Sequence, residues 1–187
     1  MGKFTTISST AFENMQIDAG ILLKNFTPAT GAFTEADIIC ATTGGINPSC
    51  VPRMSDYGED VDNVPNDTKE YLRIDGYDCQ ISTTALDVSA ETIKLALGCA
   101  DINSQTSAII PRTEVKDADF TDIWWVGDRA DGGYAACCLK NALSTGGFSI
   151  QTTKNGKGNV PLTIKGFISV EDPTEVPMEF YAMEPTT

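Results

Sequence analysis

The stretch DFTDIWWVGDRADGG, residues Asp119 to Gly133, holds both tryptophans of the chain side by side. On an extended strand successive side chains point to opposite faces, so Trp124 and Trp125 cannot share one core if Ile123 to Val126 is a strand. Two covered faces are then required. A solvated sandwich strand offers only one, so the second must be closed by a helix, a folded-back arm or another copy of the chain.

Alternating and β-branched runs bounded by turn residues recur on both sides of this stretch. They fall at Gly20–Phe26, Asp37–Thr43, Tyr71–Ile74, Tyr77–Val88, Asp122–Val126, Tyr134–Leu143, Phe148–Thr153, Pro161–Val170 and Met178–Met183. The segment from Thr153 to Asn159, TKNGKGN, reads as a hairpin loop whose glycines supply positive φ. As a phosphate cradle it lacks both the following helix and the Ser/Thr.

One segment departs from the strand period. In SAETIKLALGCA, residues 89 to 100, Ser89 can cap and Glu91 sits in the first turn. Ile93, Ala96, Leu97 and Ala100 recur at helical spacing, and Gly98 can end the turn. The expected architecture is mainly β: an antiparallel β-sandwich or split barrel with one short flanking α-helix at about 89–99.

Two kinds of segment are expected to reach outward. The stretch from Gly44 to Asn66 carries three prolines and the acidic run from Asp56 to Asp62, and it reads as a long loop with a task of its own. Its carboxylates do not follow the ligand order of a calcium-binding EF-hand loop, so a solvated or interface loop is the better reading. Residues 1–16 and 171–187 read as terminal arms, with isolated Phe4, Ile7 and Phe12 in the first and three prolines around MEFYAM in the second. Arms with spaced apolar anchors dock on something, and in a self-assembling chain that is the next copy.

Composition narrows the function classes. At 187 residues the chain reads as one domain, 1–187, and no apolar run approaches the ~20 residues of a membrane helix, so no membrane insertion is expected. The N-terminus has no apolar central region of a secretory signal. Gly2 and Thr6 match an N-myristoylation pattern, and Asn25 and Asn66 match glycosylation sequons, but both patterns are too short to carry an argument.

Twenty-six acidic residues against thirteen basic ones give a net charge of −13, which disfavours tight binding to phosphate backbones. The six cysteines form no C-x-x-C pair and have apolar or small neighbours, so they read as reduced, buried thiols. There is no histidine, which removes the usual acid–base and triad chemistry, and no hydrolase, Walker or dinucleotide motif occurs. A carboxylate pair alone could still serve a glycosidase. The expectation is no enzyme, no metal and no cofactor.

The stretches MQIDAGILLKNFTP, IICATTGGINPS, SDYGEDVDNVPNDTKEYLRIDGY, KDADFTDIWWVGD and LKNALSTGGFSIQTTKNGKGNVPLTIKGFISVED resemble, in order along the chain, the major tail tube proteins of long, non-contractile-tailed bacteriophages. The resemblance covers most of the chain and includes no catalytic fingerprint. It implies a virion protein assembled in the bacterial host cytoplasm. Its hexameric rings would share a continuous inner β-barrel and stack around a tape-measure protein beneath a tail terminator, and DNA would later pass through the lumen.

On that reading one of Trp124 and Trp125 fills the subunit's own sandwich, while the other is covered by the helix or a neighbouring subunit. Asp56, Tyr57, Glu59, Asp60 and Asp62 are expected at a subunit interface. From Tyr77 onward Tyr77, Cys79 and Ile81 share a core-like face, and Asp78, Gln80, Ser82 and Thr84 share a polar one, the candidate lumen wall. The alternative is a ligand-binding β-sandwich for a carbohydrate or calcium.

Overall fold

The computed structural model describes residue 4 and residues 6–185; Gly2 of the myristoylation pattern lies outside them. The chain runs β1 (Ile21–Leu23), β2 (Thr42–Asp56), β3 (Leu72–Ala85), α1 (Ala90–Leu97), β4 (Ala100–Ile102), β5 (Ile109–Pro111), β6 (Thr121–Asp128), β7 (Tyr134–Ser144), β8 (Val160–Gly166) and β9 (Met178–Met183). β4 and β5 form a small ribbon. The other strands form one antiparallel sheet in the order β1-β6-β7-β8-β3-β2, with β9 also on β7. The protein is mainly β, and the sheet does not close into a barrel.

The long edge of β7 serves two partners in succession. Tyr134–Leu139 pair with β9, and Ala142–Ser144 pair with β8. Between them Lys140 and Asn141 interrupt the β6–β7 register, and Asn141 takes a φ of 47°. Asparagine tolerates that left-handed turn, and Asp122 Oδ1 accepts its backbone N–H at 3.1 Å. Leu22 of β1 and Cys79 and Ile81 of β3, far apart in strand order, therefore meet in one core cluster with Ile123, Leu139 and Ile164. That is how an open sheet makes a two-layered core.

The two tryptophans lie on opposite faces. Trp125 packs against the main core, and its indole N–H donates to the Ala19 carbonyl at 3.0 Å. Gly20, at φ 72°, lies so close to this ring and to the Val126 carbonyl that a side chain there would collide with both. Trp124 faces the other way. Its ring centroid is 5.6 Å from Phe26 and 5.6 Å from Tyr181, and Phe26 meets Tyr134 edge-on at 5.7 Å. The second face is thus partly covered within the subunit by the chain after β1, folded back, and by β9, and it leaves Trp124 half-exposed.

α1 begins at Ser89, whose hydroxyl accepts the Thr92 N–H at 3.2 Å, and ends at Gly98. Of the expected apolar stripe, Ala96 and Ala100 are fully buried while Ile93 and Leu97 are only half-buried, and Thr92 joins the buried side. Thr92 can be buried because Asp87 and Ser89 satisfy its hydroxyl, at 3.2 and 3.0 Å.

Several other expectations change. The stretch from Gly44 to Asp56 is the greater part of β2 rather than loop, and only residues 57–71 form the turn region. Pro48 and Pro52 are tolerated because β2 is an edge strand, where a missing N–H can face outward. Phe148–Thr153 is not a strand; only Gln151 bridges to Asn159. In that turn the positive φ belongs to Asn155 rather than to the glycines. Asp37–Thr43 contributes only its last two residues to a strand, the start of β2, and Tyr71–Ile74 and Tyr77–Val88 merge into β3 across a bulge at Asp75.

The inner part of each arm packs on its own subunit, while Phe4, Ile7 and Phe12 stay exposed. β9 pairs with β7, and Met15 and Glu13 accept backbone N–H groups of Ala130 and Asp131. The buried Arg129 joins both arms: it donates to Asn14, to Asp131 at 2.5 Å, and to Glu184 and the Met183 carbonyl at 3.4 Å each.

Trp124→Ala removes the centre of the Phe26–Tyr181 cluster and should cost ~3 kcal/mol, the low end for a buried aromatic because the ring is half-exposed. A urea melt of the purified monomer measures it. An unchanged midpoint would mean that this face gains its cover only on assembly.

Candidate functional site

β8 supports β3 only from Gln80 to Ala85. From Cys79 back to Leu72, β3 has β2 alone as its partner, so residues 51–56 and 72–78 leave the domain as a two-stranded ribbon. In water such a ribbon is marginal by itself. Its core-side face nevertheless stays apolar past the end of the core: Met54 and Ile74 face each other across the ladder at 58% and 51% exposure, followed by Leu72 at 38%. Tyr57 and Val61 add exposed apolar surface at the tip.

The tip is internally braced. Asp56 accepts the N–H groups of Gly58 at 2.7 Å and Asp67 at 2.8 Å, and Tyr57 N–H donates to the Tyr71 carbonyl at 3.1 Å. The Arg73 guanidinium lies 5.4 Å from the centre of the Tyr57 ring. Asp60, Asn63 and Asp67 take left-handed φ of 60–66°, as short polar residues can. Of the expected interface residues, Asp56 thus organises the turn, while Tyr57, Glu59, Asp60 and Asp62 project from it. Trp124 and Trp125 are not gathered here; β6 lies three places from β3 in the sheet. Among the described residues no three carboxylate or thiol groups converge as a metal site.

Asp78, Gln80, Ser82 and Thr84 do share one face. The register sets Val51, Ser49 and Asn47 of β2 beside them, and Lys165 and Thr163 of β8 on the other side. This wall is polar but not anionic. Lys165 pairs with Asp78 at 2.5 Å, and Arg53 follows on the same side of β2. The hydrogen bond and charge of Lys165 hold the Asp78 carboxyl below the usual carboxylate range. A lowered pKa means that the pair is intact at neutral pH and is lost only as pH falls through that lowered value. Alternation along Pro161–Val170 already put Thr163 and Lys165 on one side; the pairing with β3 that makes them neighbours of Asp78 was not legible.

A cleft of about 520 Å³ lies between α1 and the sheet, lined by Lys24, Lys94, Leu95, Asp119, Asp122 and Ser144. Three of its polar side chains already have partners: Asp119 holds Arg112 at 2.5 Å, Asp122 holds Asn141, and Ser144 donates to the Ala96 carbonyl at 2.9 Å. No protein-family model matches the chain, and no curated protein matches it.

Asp56→Ala strips two N–H groups of their acceptor and should cost the tip ~1–2 kcal/mol of local stability while leaving the sandwich intact. Hydrogen exchange should quicken at Gly58 and Asp67 but not in β7. Equal quickening in both would make Asp56 a determinant of the whole fold.

Proposed function

We propose that this chain is a structural protein that assembles with copies of itself into stacked rings, forming a phage tail tube that conducts DNA into a bacterial host. The observation that supports this most is the apolar face of the β2–β3 ribbon, which outruns the subunit's own core at Met54, Leu72 and Ile74. A monomer gains nothing from exposing it, whereas a neighbouring subunit or ring could bury it. The sequence resemblance supplies the hexameric ring, the tape-measure protein and the tail terminator as partners.

Concentrated protein should form rings or tubes in negative-stain images, and Met54→Asp with Ile74→Asp should give a folded monomer that forms neither. Tubes from the double variant would move the interface elsewhere. A wild-type protein that stays monomeric at every concentration would favour the ligand-binding alternative.

In the tube, the wall of Asp78, Gln80, Ser82 and Thr84 faces the lumen on this proposal. Short polar groups offer DNA few lasting contacts, and Asp78 keeps Lys165 occupied. Asp78→Lys with Gln80→Lys should leave tubes intact but slow DNA ejection, with recovery at high salt as phosphate contacts are screened. Unchanged ejection from virions carrying both changes would place this face on the outer wall.

A further inference from the structure

We infer that Cys50 and Cys79 form a cross-strand disulfide site at the root of the β2–β3 ribbon, closed by an oxidised low-molecular-weight disulfide. The two residues are direct partners in the ladder, 29 positions apart in sequence, and their sulfurs lie 3.3 Å apart. Both are free thiols in this structure, as are the other four cysteines.

The neighbouring prolines define what kind of pair this is. Pro48 and Pro52 have no N–H, so the even-numbered positions of β2 are those whose backbone points away from β3. Cys50 lies between them with the same parity and no register shift from Ile46 to Arg53. It therefore occupies a non-hydrogen-bonded position, where paired Cα atoms approach to about 4.5 Å and side chains lie closest. That separation is within the range a disulfide spans, about 4.4–6.8 Å, so the backbone can stay where it is.

Access differs between the two thiols. Cys79 is fully buried, and burial, followed by its hydrogen bond to Cys50, raises its pKa well above the ordinary thiol value. Cys50 is half-exposed on the edge strand, so it reacts first. Its thiolate attacks one sulfur of the reagent R–S–S–R, forming Cys50–S–S–R and releasing one RSH after proton uptake. Cys79 then gives up its proton and attacks the Cys50 sulfur, forming the Cys50–Cys79 bond and releasing the second RSH. The two protein thiols are oxidised by two electrons, and the reagent is reduced to two thiols.

The position gives the bond a consequence. Gln80–Lys165 is the last pair in which β8 supports β3, and Cys50–Cys79 is the next rung outward. A bond there would close the ribbon at the point where it loses its third strand, leaving the sandwich untouched. Because the site lies within one chain, it does not depend on the assembly proposal.

The test uses the full-length, reduced protein in glutathione buffers of increasing oxidised fraction, quenched in acid, denatured, alkylated and mapped by mass spectrometry. The expected product is a single Cys50–Cys79 linked peptide lighter by two hydrogens, preceded by a glutathione adduct on Cys50, with Cys40, Cys137 and Cys138 still alkylated. A nick introduced by protease within 57–71 should then leave two fragments that separate only after reduction. A stable glutathione adduct on Cys50 that never passes to Cys79, a different cysteine pair, or six alkylated thiols throughout would each overturn the inference.

Discussion

The turn of β7 at Lys140 and Asn141 is the constraint on which the rest of the molecule depends. A strand that ran straight would keep one neighbour along its length and leave a flat sheet with one solvated face. Here the left-handed Asn141, braced by Asp122, ends the pairing with β9 and lets β8 take over a few residues later. The sheet then curls until its two wings face each other, and Leu22, Ile81, Ile123 and Ile164 can share one interior. Asn141 also reaches across with its side-chain amide to the Phe167 carbonyl at 3.2 Å, tying the exit of β8 to the same corner.

From that corner follows the use of both tryptophans. β6, beside β7, has the main core on one side and the returning chain around Phe26 on the other, so consecutive residues can both be large and aromatic. The termini complete this arrangement. Arg129 gathers Asn14, Asp131 and Glu184 around one buried guanidinium, so the two arms are held by one group. Removing Asp131 would leave the buried guanidinium only the exposed Glu184 at 3.4 Å as a carboxylate partner, which costs more than losing an exposed ion pair.

The β2–β3 ribbon follows the opposite logic. Its rungs up to Gln80 are part of a three-stranded sheet, while those beyond rely on one partner and a braced turn. Local stability is lowest where a ribbon has few buried contacts, and surfaces that bind partners are drawn from such regions. The brace of Asp56 and the Arg73–Tyr57 contact keep the tip ordered without covering Met54, Leu72 or Ile74.

What the sequence determined by itself was whatever depends on neighbours along the chain. Period-two alternation marked β3 and β9, Ser89 and Gly98 bracketed α1, and the adjacent tryptophans demanded two covered faces. The polar face of Asp78, Gln80, Ser82 and Thr84 was legible for the same reason. Only the tertiary structure decided the rest, because it rests on contacts between residues distant in sequence. Pro48 and Pro52 looked like loop residues until β2 proved to be an edge, and no pattern along β3 showed that pairing would bring Lys165 beside Asp78. Nor could spacing show that Cys50 would meet Cys79, or that Phe26 and Tyr181 would close over Trp124. Register between strands is set by packing across the whole sheet, and no local pattern carries it.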